Sequence, residues 1–349
     1  MTVRGIWQVA CCAAVLAAAA GTAAAEDMEQ LYARAKTEKS LVLYAGGPAA
    51  PHERYAREFE QRFPGLTVSV TGGFSNVLNE TIEQQIKAGR LDVDMALFQT
   101  VQDFVNWKKR GLLLPFKPEG FDQIHPSFRD QDGAYIAIRV NAITYAYNTK
   151  LVPAEDVPQS ALDFLKPIFR GKLSAVYPAD DDAALYLFHT IVEKYGWSWM
   201  DRYMANEPNF VQGHLNVARG VAAGDHFATL DATSTVWGLK RAGQPIESLF
   251  SPVDETPVFT SSAGIFRDAL HPNAAKLYLS WYLAKEQQSR LDTFSPRTDV
   301  PPPPGMKPLF SHTLANGYRE LMTDEGKVVE LRKRFEAYTG PVVNRGGVR

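Results

Sequence analysis

The apolar residues of this chain alternate between short buried runs and helical stripes. Residues 40–44 form an apolar run that ends at a glycine pair, which predicts a buried strand followed by a turn. Tyr55, Phe59 and Phe63 then recur at helical spacing, which predicts a helix. Further predicted strands and helices continue this alternation at 66–71, 77–88, 93–98 and 104–110. Strands that alternate with helices across short glycine turns indicate a parallel sheet covered by helices.

The pattern repeats after a long β-rich run at residues 134–147, which suits a strand passing between two domains. The predicted elements that follow are a strand at 172–177, helices at 181–195 and 216–223, and a strand at 226–230. A second extended run at 258–266 is the expected return crossing, and 273–290 is an amphipathic helix. Two α/β lobes joined by extended crossings predict a cleft that closes by hinge motion.

The first 25 residues have the three parts of a secretory signal peptide. Arg4 supplies the positive charge, residues 6–20 are apolar, and Ala23 and Ala25 occupy the −3 and −1 positions of a cleavage site. A membrane anchor is the alternative, but a spanning helix needs about 20 apolar residues and this run is shorter. We therefore expect a cleaved export signal and a periplasmic protein.

Composition narrows the function further. Both cysteines, Cys11 and Cys12, lie in the signal segment, so the mature chain would have no disulfide, thiolate metal site or cysteine nucleophile. A net charge of −2 gives no basic footprint for nucleic acid. No second long apolar segment follows residue 25, so we expect the mature chain not to span a membrane.

Ligands of open α/β sheets bind beyond the carboxyl ends of the strands, and here those ends are polar and rich in glycine. Three loops of the first lobe follow consecutive strands and should converge on one edge. Ser75 and Asn76 could instead cap the next helix, so each has two possible roles. The candidate ligand-binding residues of the first lobe are Gly47, His52, Ser75, Asn76, Gln99 and Thr100.

The second lobe offers carboxylates and hydroxyls at its strand ends. Residues 180–182 are three consecutive aspartates at a strand-to-helix turn, where one is an ordinary N-cap. An extra carboxylate that faces the cleft would favour a cationic or hydroxyl-bearing ligand. The candidate ligand-binding residues of this lobe are Tyr177, Asp180, Asp231, Thr233 and Ser234.

Local sequence signatures of catalysis are hard to find. The chain has no G-x-S-x-G, H-E-x-x-H or G-x-x-x-x-G-K-[S/T] motif. Its seven histidines are scattered, and none has the spacing of a metal ligand pair. We therefore expect no enzymatic activity, no metal and no cofactor. A secreted hydrolase that assembles its active site from distant residues is the alternative.

Several stretches together resemble a known family. They are 41–47, 91–97, 171–173, 256–265 and, most specifically, H-P-N-A-A-K at 271–276 continuing to 283–288. With these the chain resembles the periplasmic solute-binding proteins of ABC importers (extracellular solute-binding family 1), in the branch that binds ferric ion, polyamines, thiamine and aminoethylphosphonate. The resemblance implies a two-lobed, type II α/β binding-protein fold with a mostly parallel sheet in each lobe. Its expected parts are a signal peptide at 1–25, lobe 1 at 26–139 with return segment 259–300, and lobe 2 at 140–258 with 301–349 packed on it.

The same resemblance implies a monomer that captures a small solute and delivers it to a membrane permease. A sensory receptor in place of the permease is an alternative partner, and ferric ion is an alternative cargo. Ferric binders of this branch carry two adjacent tyrosines in a second-lobe loop. Here that loop, residues 231–237, has no tyrosine, so we do not expect phenolate ligation of iron. The charge of the solute stays open at this point, because helix N-termini would also accept an anion.

Overall fold

The strands of the described residues form a six-stranded first sheet and two smaller groups, of three and two strands, which an isolated bridge joins into what we call the second sheet. Two crossing segments connect the first sheet with the second. The computed structural model describes residues 27–343, and the predicted signal peptide lies outside them. The strands are β1 (Ser40–Gly46), β2 (Thr67–Gly73), β3 (Met95–Phe98), β4 (Ile136–Ala142), β5 (Thr144–Asn148), β6 (Ser174–Val176), β7 (Asn209–Val211), β8 (Ala228–Ala232), β9 (Ile246–Leu249), β10 (Thr256–Ile265) and β11 (Leu314–Ala315).

Helices pack against both sheets, as the alternation of strands and helices predicts. They are α1 (Met28–Glu38), α2 (Ala49–Arg62), α3 (Ser75–Lys87), α4 (Val101–Lys109), α5 (Asp182–Tyr195), α6 (Trp197–Ala205), α7 (His214–Ala223), α8 (Thr235–Arg241), α9 (Pro272–Leu283), α10 (Lys285–Gln288), α11 (Tyr318–Met322) and α12 (Glu325–Thr339). Within residues 27–343, none of these helices is long and apolar enough to cross a membrane.

The first sheet has the strand order β2–β1–β3–β10–β4, and β11 pairs with the start of β10. β1 runs parallel to β2, with Ser40 opposite Thr67, and parallel to β3, with Leu43 opposite Met95. β10 is antiparallel to both β3 and β4. The carboxyl ends of β1, β2 and β3 therefore meet at one edge, as the sequence predicts.

The second sheet is mixed. β6 pairs with β7 in parallel, and a parallel bridge from Leu173 to Ala228 connects β6 to β8. β5 is antiparallel to both β8 and β9, so this sheet is less parallel than expected. The reason is that β5 enters directly from β4 and must run against strands that come from the sheet's own βα units.

The predicted long strand at 134–147 is divided at Ile143, where the chain leaves the first sheet. The N–H of Ile143 donates to the carbonyl of Pro257, 2.8 Å away, in the return strand β10. The two crossings therefore run side by side. The expected passage between sheets is present at both positions, while the division into lobes with the stated boundaries stays a prediction.

The predicted helix at 273–290 is interrupted at Ala284, whose backbone is extended (φ −58°, ψ 142°). Two side chains take carbonyls of its last turn: Arg297 Nη1 donates to Leu283 and Gln288 Nε2 donates to Tyr282. These bonds satisfy carbonyls that a continuing helix would have used. α9 packs on α2 through aromatic rings, with the rings of Tyr55 and Tyr282 5.0 Å apart.

The C-terminal segment contacts elements of both sheets. α12 packs on α5, where the rings of Phe335 and Phe188 are 5.8 Å apart. α11 places Tyr318 against Tyr186 of α5 and against Phe259 of β10. α12 thus packs on α5, and α11 contacts both α5 and β10, while the packing of 301–349 on a second lobe stays a prediction.

We predict that Gly72→Ala destabilises the protein by about 1–3 kcal/mol through overpacking. A Cβ at Gly72 would lie 2.5 Å from the backbone nitrogen of Ala49, where α2 begins, so strand β2 or helix α2 must shift. Gly238→Ala is the matched control, because its Cβ would meet nothing within 4 Å in α8. The control should raise stability by about 0.5 kcal/mol through helix propensity. Urea unfolding of both variants tests this, and an unaffected G72A protein would contradict the close approach.

Candidate functional site

The loops after β1 and β2 meet at the carboxyl edge of the first sheet. The N–H of Gly47 donates to the carbonyl of Gly73 at 2.7 Å. Ser75 lies against the same loop, because a Cβ on Gly46 would be 2.4 Å from the Ser75 hydroxyl. The structure thus brings Gly47 and Ser75 together. Asn76 is exposed and its Oδ1 accepts from the N–H of Val77, so its bond is local.

Helices α2 and α3 begin at these two loops without side-chain caps. Pro48 and Phe74 occupy the N-cap positions, and neither helix has an acidic residue in its first turn. The first N–H groups of both helices therefore keep their positive partial charge at this edge.

His52 lies in α2 just behind the β1 loop and is 8% exposed. Its Nε2 is 3.1 Å from the carbonyl of Gly46. Burial, reinforced by the charge of Arg139, lowers the pKa of His52 to about 4. The ring is therefore neutral at pH 7 and donates from Nε2 to Gly46, which holds the glycine loop in place.

The loop after β3 and the first turn of α4 contact helices α11 and α5. The hydroxyl of Thr100 donates to Asp103, and the carbonyl of Gln99 accepts from the Tyr318 hydroxyl at 3.4 Å. Burial raises the pKa of Asp103 to about 7, and the negative charge of Asp182 adds to this. Gln102 Nε2 donates to Asp182 at 2.7 Å, which links α4 directly to α5.

The three consecutive aspartates of the second sheet have three different partners. Asp181 is the N-cap of α5 and accepts from the N–H groups of Ala183 and Ala184. Asp180 accepts from Gln212 at 2.8 Å. Asp182 is buried and accepts from Gln102 and Arg332. One aspartate therefore caps the helix, and the other two bind side chains.

His214 lies between two carboxylates. Its Nε2 is 3.3 Å from Asp181 and its Nδ1 is 3.1 Å from Asp231. Burial would lower the pKa of His214, but the charges of Asp231 and Asp181 outweigh it and hold this pKa well above its ordinary value. Asp231 is fully buried and also accepts from the N–H of Val176. The two aspartates occupy opposite ends of the ring, so they do not converge on a shared point.

The remaining candidates of the second sheet lie near this group. Tyr177 is buried and packs on Phe210, with ring centroids 5.7 Å apart. The hydroxyls of Thr233 and Thr235 are 3.1 Å apart. Ser234 donates to Asn141 Oδ1 at 3.2 Å, at the end of β4. Ser234 therefore reaches from the second sheet to the first.

The eleven predicted residues leave out four residues of this region, namely Gln102, Asp182, His214 and Arg139. Asp182 was considered only as one of the three consecutive aspartates. A glycine directly before a helix marks His214 as a helix-start residue, but no spacing in the sequence shows that two aspartates flank it. Solute contact by each of the eleven predicted residues stays a prediction. In the part of the chain described, no group of three or more His, Cys, Asp or Glu side chains is placed to hold a metal ion.

A Ser–His–Asp arrangement occurs at the opposite edge of the first sheet. His271 Nε2 is 2.9 Å from the Ser40 hydroxyl, and its Nδ1 is 2.8 Å from Asp94. Nucleophilic catalysis also needs free donors for the oxyanion. The N–H groups of Asn273 and Ala274 in the first turn of α9 donate instead to Glu38. These contacts connect β1, β3 and α9.

A cavity of about 800 Å³ lies beside the crossings. Its walls include Ile143 and Thr144 from the first crossing, Glu255 and Thr256 from the second, and Tyr186 from α5. None of the eleven predicted site residues lines it. The cavity is therefore separate from the loops at the strand ends.

We predict that His214→Gln lowers stability by about 3 kcal/mol at pH 6, because Asp231 would stay buried without its cation. Because the pKa of His214 is raised in the folded state, its contribution is complete below about pH 6.5 and is lost as pH rises through the folded pKa. Thermal unfolding from pH 5.5 to 9 should show the wild-type advantage shrinking with pH. His125→Gln, at a half-buried site away from carboxylates, is the control. A pH-independent difference would contradict the ion pair.

Comparison with solved structures identifies proteins of the same fold. The structure resembles iron-bound HitA from Pseudomonas aeruginosa (TM-score 0.72, 18% identity, 85% of this chain and 99% of that one). It equally resembles AfuA from Actinobacillus pleuropneumoniae with bound fructose 6-phosphate (TM-score 0.72, 20% identity, 86% and 99%). AfuA is described as a periplasmic binding protein, and the match of this structure to both proteins confirms the two-lobed type II fold.

The sequence comparisons also match binding proteins. An Fe(3+)-binding periplasmic protein of Serratia marcescens is 22% identical over 274 residues, which are 74% of this chain and 78% of that protein. A family model described as bacterial extracellular solute-binding protein matches residues 54–313. The match covers well over half of the sequence, and the chain therefore belongs to the family of bacterial extracellular solute-binding proteins.

Proposed function

We propose that this protein captures a small polar organic solute in a cleft between the two sheets and delivers it to the permease of an ABC importer. The observation that carries this is the direct approach of the two sets of strand-end loops. Gln102 bonds to Asp182 and Ser234 bonds to Asn141 across the junction. A solute that touches both sides favours the closed arrangement, because its affinity for that state is higher.

The chemistry of the loops supports an organic solute. They offer hydroxyls at Ser75 and Ser234, glycine backbone groups at Gly47, and a carboxylate at Asp180. Such groups suit a molecule with several hydrogen-bonding positions. The Serratia marcescens relative is named for ferric ion, but residues 231–237 contain no tyrosine. We therefore favour an organic cargo over a ferric ion.

We predict that protein recovered from the periplasm of an expressing bacterium begins at Glu26. Small residues at −3 and −1 are what signal peptidase requires. Intact-mass measurement tests this directly. Ala25→Arg should block cleavage and leave a longer chain, whereas Ala20→Leu, which keeps the apolar region, should be cleaved as in the wild type. A periplasmic product that retains residues 1–25 would contradict the predicted cleavage site.

Mass spectrometry of ligand released from natively purified protein identifies the cargo. We predict a single organic molecule at close to one equivalent, recovered chemically unchanged after incubation with the protein. Metal analysis of the same sample should show iron far below one equivalent. Iron near one equivalent without an organic ligand would contradict the organic solute, and conversion of the molecule would support the hydrolase alternative.

A further inference from the structure

Arg139 carries a positive charge that has no close carboxylate. Its Nη2 donates to the hydroxyl of Tyr282, and its Nε is buried without a hydrogen-bond partner. The residue is itself half-buried. Among residues 27–343, no Asp or Glu oxygen lies within ion-pair distance of it. Asp292 acts on it only at longer range, is 63% exposed, and lies 3.8 Å from Arg241.

The other buried or half-buried arginines of the described residues each contact a carboxylate, as Arg129 does with Asp122. Arg297 forms two bonds to Asp299, and Arg332 binds Asp182. A guanidinium has five N–H donors in a planar fork, and Tyr282 uses one of them. Burying a charge without a partner is costly, and proteins generally compensate it.

Arg139 lies beside the carboxyl edge of the first sheet. Its charge lowers the pKa of His52, the residue that bonds to Gly46 at the end of β1. It also shares a strand face with Asn141, because alternate residues of β4 point the same way. Asn141 accepts from Ser234 of the second sheet. Arg139 is therefore about 7 Å along the strand from a side chain that touches the opposite loops.

The surroundings add positive potential. Helices α2 and α3 begin at the same edge of the first sheet, with no acidic residue in their first turns and no side-chain caps. Their N–H groups and the Arg139 guanidinium point to the same class of partner, an acid group with several acceptor oxygens. A bare cation would be repelled here.

We infer that Arg139 is the receptor for an acid group of the solute, so that the cargo is a small organic anion such as a phosphate ester, a phosphonate or a polycarboxylate. The inference rests on the proposed function, because it names the class of solute for the same cleft. Oxygens of the acid group would accept hydrogen bonds from the unused N–H donors of the guanidinium. The rest of the solute would extend past Asn141 towards Ser234 and Asp180.

Calorimetric titration of protein stripped of its ligand by unfolding and refolding tests this. The probes are inorganic phosphate, fructose 6-phosphate and citrate, with fructose as the uncharged control. We expect the wild type to bind at least one acid and to bind fructose far more weakly than its phosphate. Arg139→Gln should weaken binding of that acid roughly 10- to 100-fold, the usual range for a charge-assisted hydrogen bond. Arg139→Lys, which keeps the positive charge but not the planar arrangement of N–H donors, should lose less affinity for the acid.

Arg290→Gln is the matched control. It removes an arginine near the same helices whose charge is already paired with Glu58 at 2.9 Å, so anion affinity should not change. Ligand-free R139Q should unfold within a few degrees of the wild type, which separates loss of binding from loss of fold. If R139Q does not fold, the inference is tested instead by the affinities of the wild type and of R139K for fructose and for fructose 6-phosphate.

Three results of the titrations would overturn the inference. They are failure of the wild type to bind any of the three acids, equal binding by R139Q and wild type, and equal affinity for fructose and its phosphate. A neutral or cationic solute found on natively purified protein would also overturn it. That last result would leave the proposed capture and delivery intact, so the two claims fail separately.

Discussion

The junction between the sheets depends on two crossings that run side by side. β4 and β10 pair antiparallel up to the point where β4 ends, and Ile143 then bonds to Pro257 before the chain enters β5. Because both crossings are held at one place, movement of one sheet against the other is a rotation about them. Such a rotation would open and close the proposed cleft between the strand-end loops on either side of the junction. The proposed capture of a solute depends on this geometry more than on any single side chain.

Buried charge is handled in two ways at this junction. His214 is an internally compensated cation, because Asp181 and Asp231 flank its ring. Arg139 is uncompensated within the described chain and lies at the edge that the helix starts make electropositive. The first arrangement holds the second sheet's loops together. The second leaves donors free, and a ligand that supplies acceptor oxygens would use them.

Much of the architecture could be predicted from the sequence because its signals are local. Apolar runs that end in glycine placed β1 and β2 to within two residues at the carboxyl end, and helical spacing of aromatic residues located α2. The break at Ala284 could not be predicted from the sequence. It depends on hydrogen bonds from the side chains of Arg297 and Gln288 to carbonyls in the last turn of α9, and folding brings these groups together. The division of the long β-run at Ile143 depends likewise on pairing with a strand more than a hundred residues later.

Less of the candidate site could be predicted from the sequence. Strand-end loops could be located, and Gly47, Ser75 and Ser234 lie at contacts between loops or sheets. The roles of Asp231 and His52 depended on partners that the sequence does not reveal: a buried histidine for one and a backbone carbonyl for the other. The lack of a carboxylate partner for Arg139 could not be predicted either, because it depends on where the fold places every Asp and Glu side chain.

The crystal structure of protein purified with its own solute tests the central claim most directly. We predict one organic molecule between the loops of the two sheets, with an acid group on the Arg139 guanidinium and further contacts at Ser234 or Asp180. A molecule that touches only one sheet, or a metal ion in place of an organic solute, would contradict it.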